Sequence, residues 1–322
     1  MAKKIVITDG GYASYDCERS VLEPLGCEIV VNEGTAKPLE KICTDAAGLL
    51  VRQSLIQKPL IGKMPECKVV ARYGIGVDNV DLDGCAKAGI VVANTPGFCV
   101  EDVSTHAIAL IFAQIRRVVS HDRRIRAGEW DIGSAEPIHR ERGRTLGLVG
   151  FGAIPQCLRD KVAGFGFEVI VFDPFISDEL AAEKNVTKVE LNELFERADY
   201  VSVHAPLNDK TRGMIGAEQF RLMKPTAFIV NTARGPVIDE TALTEALKAG
   251  ELGGAGLDVW ETEPPAADSP LREMPNVILS DHAGWYSEES LVNMQTRAAK
   301  AVAAVLSGER PESVVNPAVY DS

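Results

Sequence analysis

Short apolar runs that alternate with helix-like segments constrain the fold of this chain more than any other feature. Runs such as KKIVITD (3–9), EIVVN (28–32) and AGLLVR (47–52) are typical of buried strands. Segments near 15–24 and 38–44 are typical of the helices that separate such strands. This alternation predicts a parallel sheet covered by helices, because parallel strands need long crossover connections.

A second series of strand-like runs extends from TLGLVGFG (145–152) to VILSDH (277–282). Between the two series, residues 101–127 have helical periodicity and contain neither Pro nor Gly, and another helical segment covers 287–307. The sequence therefore predicts an α/β fold with two Rossmann-like or flavodoxin-like parallel-sheet domains. We expect two long helices to join them, with a cleft between the domains.

Composition excludes several classes of protein. The net charge of −12 argues against a nucleic-acid binder, because such proteins concentrate Lys and Arg. The 7 cysteines show no metal-binding spacing and are expected to be reduced. The chain starts with a charged strand-like segment instead of a signal peptide, and no apolar run is long enough to span a membrane. We expect a cytoplasmic protein with no membrane or metal partner.

A glycine-rich loop, GLVGFGAIPQC (147–157), closes one predicted strand and opens a helix. Gly150 and Gly152 occupy the first two positions of the G-x-G-x-x-G fingerprint of dinucleotide-binding domains. The first allows the tight turn, and the second lets the backbone approach a pyrophosphate at the helix N-terminus. Pro155 stands at the third position, where a first helical turn tolerates its missing N–H.

Asp173 ends the next predicted strand, about 20 residues after Gly152, where an acidic residue accepts from the ribose hydroxyls of NAD. Pro174 and Phe175 follow it, so no arginine stands directly after Asp173 to bind the 2′-phosphate of NADP. The sequence therefore favours NAD. The alternative is that Asp173 only begins an Asp-Pro turn.

Arg234, Glu263 and His282 each follow a strand-like run in the second series. The carboxyl ends of strands border the ligand crevice in open α/β sheets. A histidine beside a glutamate can exchange protons near neutral pH, and an arginine presents a planar fork to a carboxylate. Singly, each residue would be read as a surface ion pair or a structural residue. Together they predict a site that binds a 2-oxo acid and protonates its carbonyl as a hydride arrives.

These residues lie in segments that resemble a known family. HAPLNDKTRGMIG (204–216), MKPTAFIVNTARGPVIDE (223–240) and LDVWETEPP (257–265) look like D-isomer-specific 2-hydroxyacid dehydrogenases. RYGIGVDNVD (72–81) and DHAGWYSEES (281–290) look most like the branch of C-terminal-binding proteins and their enzyme relatives. The resemblance covers nearly the whole chain. It implies a discontinuous substrate-binding domain, 1–99 with 288–322, and an NAD-binding Rossmann domain, 100–287.

The resemblance also implies a role for individual residues. His282 would be the acid/base, Glu263 would hold its Nδ1 proton, and Arg234 would grip the substrate. The other substrate-binding residues implied are Arg72, the backbone N–H groups of Tyr73, Gly74 and Ile75, and Trp285. The cofactor-binding residues are Gly150, Gly152, Ala153, Ile154, Asp173, His204, Pro206, Thr232, Ala233 and Asp258.

Three positions depart from the family pattern: Pro155 replaces the third Gly, Ala153 stands where relatives usually have Arg, and Gly284 replaces a common Ala. The first two bear on cofactor affinity. The catalytic set is complete.

Two functions fit the sequence. The first is an NAD-dependent enzyme that interconverts a 2-oxo acid and a D-2-hydroxy acid. The alternative is an NAD-sensing binding scaffold. Within the first, Arg72 and Trp285 favour a 2-oxo acid with a modest tail, which can be apolar or a thioether. Hydroxypyruvate, glyoxylate and phosphohydroxypyruvate remain open, the phosphorylated one being disfavoured because no phosphate cluster is evident. The helix at 101–127 and the segment 130–142 are candidate surfaces of a homodimer.

Overall fold

A computed structural model describes residues 2–33, 37–132 and 137–321. The chain forms two compact units, which we describe separately. The first unit contains Met1–Cys99 and Ser287–Ser322, and the second contains Val100–Tyr286. The chain returns to the first unit at Ser287, one residue before the boundary expected at 288. Residues 133–136 of the candidate dimer segment lie outside the described residues.

The first unit is built on a parallel five-stranded sheet in the order β2-β1-β3-β4-β5. This order is that of flavodoxin-like sheets, whose ligands bind beyond the carboxyl ends of the strands. The strands are β1 (Lys3–Ile7), β2 (Cys27–Val31), β3 (Ala46–Val51), β4 (Val69–Arg72) and β5 (Val91–Ala93). The helices between them are α1 (Asp16–Leu22), α2 (Leu39–Ile42), α3 (Lys58–Ile61) and α4 (Leu82–Lys87).

The second unit is built on a parallel seven-stranded sheet in the order β12-β11-β10-β9-β6-β7-β8. Its strands are β6 (Thr145–Val149), β7 (Glu168–Phe172), β8 (Thr187–Lys188), β9 (Tyr200–Val203), β10 (Phe228–Asn231), β11 (Gly254–Leu257) and β12 (Val277–Leu279). Its helices are α5 (Val100–Ile115), α6 (Val118–Arg126), α7 (Ala153–Lys161), α8 (Asp178–Glu183), α9 (Leu191–Arg197), α10 (Ala217–Leu222) and α11 (Glu240–Ala249).

Apolar side chains alternate between the two faces of this second sheet. Phe228 and Val230 join one buried cluster with Leu110 of α5, whereas Ile229 joins another with Leu243 of α11. Because successive side chains of a strand point to opposite faces, nearly continuous apolar strands are buried on both sides. The sheet order places a topological switch point between β6 and β9, where Rossmann folds bind dinucleotides.

The chain returns to the first unit in α12 (Glu288–Leu306), which packs against α1, β3 and β4. The tail that follows is fastened to β5: Val315 N–H donates to the Val92 carbonyl over 2.9 Å. The buried amide of Asn316 accepts from Val92 N–H (2.7 Å) and donates to the Ile90 carbonyl (2.9 Å). The C-terminal residues therefore complete the hydrogen bonding of an edge strand.

The prediction of one long helix over 101–127 is wrong in one respect, because the helix is interrupted between α5 and α6. Arg117 adopts a left-handed conformation (φ 52°), and its guanidinium lies 4.5 Å from the centre of the Phe228 ring. The chain crosses between the units immediately before α5 and α12, so each helix belongs to one unit instead of joining two. Of the other basic residues here, Arg124 pairs with Glu129 and Arg126 with Asp122, both at 2.8 Å.

The short elements α8, α10 and β8 were not predicted, and most predicted strands extended one to three residues too far, into the loops that carry functional residues. No helix in the described part of the chain has the length and apolar content needed to cross a membrane. None of the 7 cysteines forms a disulfide.

Candidate active site

Three loops at one edge of the second sheet carry Arg234, Glu263 and His282. They follow β10, β11 and β12, which are adjacent and parallel, so their carboxyl ends lie at the same edge. The structure brings the three residues of the expected catalytic set together at this edge.

His282 and Glu263 form a direct hydrogen bond of 2.7 Å between Nδ1 and Oε2. Glu263 Oε1 also accepts from the N–H of Trp260 over 3.1 Å. Burial alone would raise the pKa of Glu263, but the His282 hydrogen bond and charge, the Trp260 amide and the Arg234 charge hold it below its usual value. Because Glu263 is ionised, Nδ1 of His282 must carry a proton, which leaves Nε2 as the nitrogen that can exchange one.

Arg234 is positioned by a tight turn and a glycine. The Asn231 side chain accepts from Ala233 N–H and donates to the Arg234 carbonyl, both over 3.0 Å. A Cβ on Gly235 would lie 1.9 Å from the carbonyl carbon and oxygen of Trp260. Only glycine therefore allows the Arg234 loop to approach the loop that bears Glu263.

Asp258 fixes the loop that carries His282, a structural role that the sequence did not reveal. It is 2% exposed, its carbonyl accepts from His282 N–H (2.8 Å), and its carboxylate accepts from the N–H groups of Ala283 and Gly284 (2.9 Å each). The expected role was to line the cofactor site. In the structure the carboxylate is engaged by its own loop.

The glycine-rich loop has the geometry that its sequence predicts. Gly150 has φ 93°, and a Cβ there would lie 3.1 Å from the backbone of His204 and Ala205, at the end of β9. Gly152 caps α7, and a Cβ there would meet open space. Pro155 is buried in the first turn of α7, where its missing N–H breaks no intrahelical bond. Ala153 and Ile154 begin the same helix.

The other expected cofactor residues lie at the carboxyl ends of β7, β9 and β10. Asp173 accepts from the N–H groups of Phe151 and Phe175, both over 2.7 Å. Asp173 therefore does begin a turn, as the alternative interpretation expects. Each of its carboxylate oxygens can still accept a further hydrogen bond. Burial lowers the pKa of His204 to about 3, so its ring is neutral, with Nε2 2.9 Å from Ser202 Oγ. Thr232 has a buried hydroxyl with no hydrogen-bond partner within the described residues, and Ala233 follows it. After β9, the Pro206 carbonyl accepts a hydrogen bond from the Thr211 hydroxyl.

In the first unit, the expected substrate loop follows β4. The guanidinium of Arg72 lies against Gly74, where a Cβ would be 1.4 Å from Nη1 and where φ is 136°. Tyr73 N–H donates to the Val51 carbonyl (2.8 Å) and Gly74 N–H to Thr95 Oγ1 (2.9 Å). Two of the three expected amide donors are therefore already engaged. Among the described hydrogen bonds, none uses the amide of Ile75.

Arg52 is a cationic residue that the sequence analysis missed. It follows β3, whose last residue pairs with Arg72 of β4. Its guanidinium lies 5.4 Å from the centre of the Tyr12 ring, and the carboxylate of Asp9 accepts from its backbone N–H over 3.0 Å. The one available signal was weak: Arg52 is the last residue of a predicted strand (47–52), as Arg72 is of another (68–72). Trp285 is a half-buried residue of the second unit, with its ring centre 5.6 Å from that of Tyr286.

Comparison with known proteins agrees with this geometry. Residues 108–284 match the NAD-binding domain of the D-isomer specific 2-hydroxyacid dehydrogenases. The chain is 40% identical over 273 residues to a glyoxylate reductase of Korarchaeum cryptofilum, 83% of this chain and 82% of that protein. It is also 40% identical over 317 residues to a D-3-phosphoglycerate dehydrogenase of Methanocaldococcus jannaschii, 97% of this chain but 59% of that longer protein.

Among solved structures, a D-lactate dehydrogenase from Aquifex aeolicus, complexed with NAD and lactic acid, superposes with a TM-score of 0.88. The two are 28% identical, and the match covers 98% of this chain and 99% of that one. This chain belongs to the D-isomer specific 2-hydroxyacid dehydrogenase family. The family, the two-sheet α/β fold, the NAD cofactor and the oxidoreductase class expected from the sequence are thereby confirmed.

The close approach of the Arg234 and Glu263 loops generates a prediction. We expect Gly235→Ala to destabilise the protein by about 2–4 kcal/mol, because the new Cβ overlaps the Trp260 backbone. Urea unfolding measures the change. Gly164→Ala is the control, since a Cβ there meets open space. Equal stability of the two variants would contradict the tight approach.

Proposed function

We propose that this protein is an NAD-dependent reductase that converts a 2-oxo acid to a D-2-hydroxy acid and catalyses the reverse oxidation. The observation that carries the proposal is the hydrogen-bonded His282–Glu263 pair at the strand edge that also carries Arg234. A proton donor, a carboxylate that orients it and a cation for the substrate are the groups that reduction of such an acid requires.

Each residue has a defined task in this scheme. Bound NADH supplies the hydride. Arg234 binds the carboxylate of the acid and polarises the adjacent carbonyl. Nε2 of His282 donates a proton to the carbonyl oxygen, and Glu263 stabilises the protonated ring through Nδ1. In the oxidative direction, Nε2 of the neutral ring accepts the hydroxyl proton.

The dinucleotide loop suits NADH. The N-terminus of α7 points into open space at Gly152, where no Cβ blocks the approach of a pyrophosphate. The buried Thr232 hydroxyl, with no hydrogen-bond partner in the described part of the chain, offers a polar contact to a ligand. We propose that Asp173 accepts from the ribose hydroxyls and disfavours the phosphate of NADP.

Two guanidinium groups in the first unit bear on the substrate. We propose that Arg72 and the amide of Ile75 bind the acid, and that Arg52 adds a second cation. Arg52 follows the residue of β3 that pairs with Arg72, and its guanidinium lies 5.4 Å from the centre of the Tyr12 ring. That ring contacts the ring of Tyr73, the residue after Arg72. This pair of arginines favours an acid with a second anionic group and weakens the earlier argument against a phosphorylated substrate. Trp285 is proposed to contact the substrate's tail.

The reaction test is NADH consumption with glyoxylate, hydroxypyruvate and phosphohydroxypyruvate, with NADPH in parallel. We expect turnover with NADH, fastest with the acid that has a second anionic group. His282→Gln should lower turnover by at least about a hundredfold while NADH still binds, because the amide cannot exchange a proton. His121→Gln, on α6, is the matched control and should keep full activity. Near-normal turnover of His282→Gln would sink the mechanism.

Absence of turnover with intact NADH binding would instead support the scaffold alternative. That alternative draws on RYGIGVDNVD (72–81) and Trp285, the features that resemble the C-terminal-binding-protein branch.

A glycine series tests the cofactor site. We expect Gly152→Ala to leave thermal stability unchanged and to raise the NADH dissociation constant at least about tenfold, because the added methyl group enters the space proposed for the pyrophosphate. NADH fluorescence titration and a thermal melt give the two values. Gly164→Ala is the control. An unchanged dissociation constant would show that the pyrophosphate binds elsewhere.

We also propose a homodimer formed through the second unit. The segment Glu129–Ile132 is acidic and apolar, with Trp130 91% and Ile132 83% exposed. At the amino ends of the strands, opposite the catalytic edge, the same unit has a cavity of about 350 Å³. Its walls are mainly apolar and include Tyr200, Phe228, Leu247 and Leu252, together with Arg117 and with Arg144, which pairs with Asp199. Two-fold symmetry would let the exposed Trp130 and Ile132 of each copy enter the apolar cavity of its partner.

Trp130→Ala tests this contact. We expect the dimer dissociation constant to rise at least about tenfold, because a buried tryptophan at an interface commonly contributes about 2 kcal/mol. Sedimentation equilibrium measures it, and Phe175→Ala, at an aromatic residue 94% exposed elsewhere on the unit, is the control. Equal effects of the two variants would refute the contact. We further propose a cytoplasmic location, consistent with cysteines that form no disulfide.

A further inference from the structure

The backbone of His282 is held in an unusual conformation by its neighbours. Its φ is 58°, in the left-handed region that residues other than glycine rarely adopt. The loop is held on both sides: Ser280 N–H donates to the Leu257 carbonyl (2.9 Å), and the next N–H groups, of Ala283 and Gly284, donate to the Asp258 carboxylate. The orientation of the imidazole therefore depends on how firmly Asp258 is fixed.

His106 of α5 reaches the same carboxylate. Its Nε2 lies 3.0 Å from Ser280 Oγ and 3.3 Å from Asp258 Oδ1. The single hydroxyl proton of Ser280 is donated to Asp258 Oδ1 over 2.6 Å. Ser280 can then only accept from His106, and an ionised carboxylate can only accept, so Nε2 of His106 must carry a proton. His106, on α5, thus donates to Ser280 and Asp258.

Asp258 is ionised despite its burial. Burial would raise its pKa, but hydrogen bonds from His106, Ser280 and Gly284 outweigh that effect and hold the pKa below its usual value. A buried carboxylate without such donors would be costly, so each donor contributes to keeping it in place.

Gly284 provides the space that this arrangement needs. A Cβ at position 284 would lie 2.7 Å from Asp258 Oδ2 and 3.2 Å from Cδ2 of His106. An alanine at this position would crowd both groups. Glycine therefore allows His106 and Asp258 to lie together beside the loop.

We propose that His106 is a positioning residue for the reaction: it fixes Ser280 and Asp258 and, through them, the loop that aims His282. The inference rests on the proposed function. His106 is not a catalytic residue, since its Nε2 is directed to Ser280 and Asp258. Small displacements of a catalytic group, of about 1 Å, can lower turnover by about a hundredfold.

The test compares His106→Leu with His106→Gln. Both side chains are close in size to histidine, but only the glutamine amide can supply a donor near the position of Nε2. His121→Leu is the matched control on α6. Two readouts are needed: turnover of the best acid from the panel, and hydrogen exchange of the amides of Ala283 and Gly284.

We expect His106→Leu to lower turnover roughly tenfold or more and to speed exchange of these two amides about tenfold, with NADH affinity unchanged. His106→Gln should restore most of both. Retention of turnover by His106→Leu, with or without faster exchange, would overturn the proposal, as would equal losses in the two variants. If the wild-type protein reduced no acid, the proposed function would fail, and the exchange rates would still decide whether His106 holds the loop.

Discussion

The parallel alignment of β10, β11 and β12 is the constraint on which the candidate site depends. It brings three loops, distant in sequence, to one edge of the sheet, where polar side chains can converge without interrupting the buried strands. Convergence then requires close contact between backbones. Gly235 allows the Arg234 loop to reach Trp260, and Gly150 allows the dinucleotide loop to reach His204 and Ala205. At both places the close approach of two loops depends on a residue that has no side chain.

Asp258 and Glu263, two of the three acidic residues in the short motif LDVWETEP (257–264), have different tasks because their surroundings differ. Asp258 is buried, and backbone N–H groups occupy its oxygens, so it fixes the shape of a loop. Glu263 is 34% exposed and shares one oxygen with the ring of His282, so it acts on a group that exchanges protons. Burial and available donors, more than residue type, separate structural acids from those that assist a reaction.

The sequence predicted the features that rest on local patterns and missed those that depend on tertiary contacts. Apolar runs located the long strands, and Gly150 and Gly152 located the dinucleotide loop, because periodicity and glycine act locally. The helix break at Arg117 has no Pro or Gly to mark it. Arg52 was missed because an arginine after a strand is unremarkable until its neighbours are known. The amides of Tyr73 and Gly74 looked available because sequence does not show their acceptors.

The distribution of charge over the two units suggests how substrate choice can change without loss of the reaction. The proton-exchanging pair and Arg234 belong to the second unit, whereas Arg52 and Arg72 belong to the first. Arg52 is supported by Asp9, and Arg72 lies against Gly74, contacts confined to the first unit. Replacing either cation would leave the His282–Glu263 hydrogen bond and the Asp258 network with all their partners. Under the proposed function, the choice of acid could therefore change through Arg52 or Arg72 while the edge that carries His282, Glu263 and Arg234 stays the same.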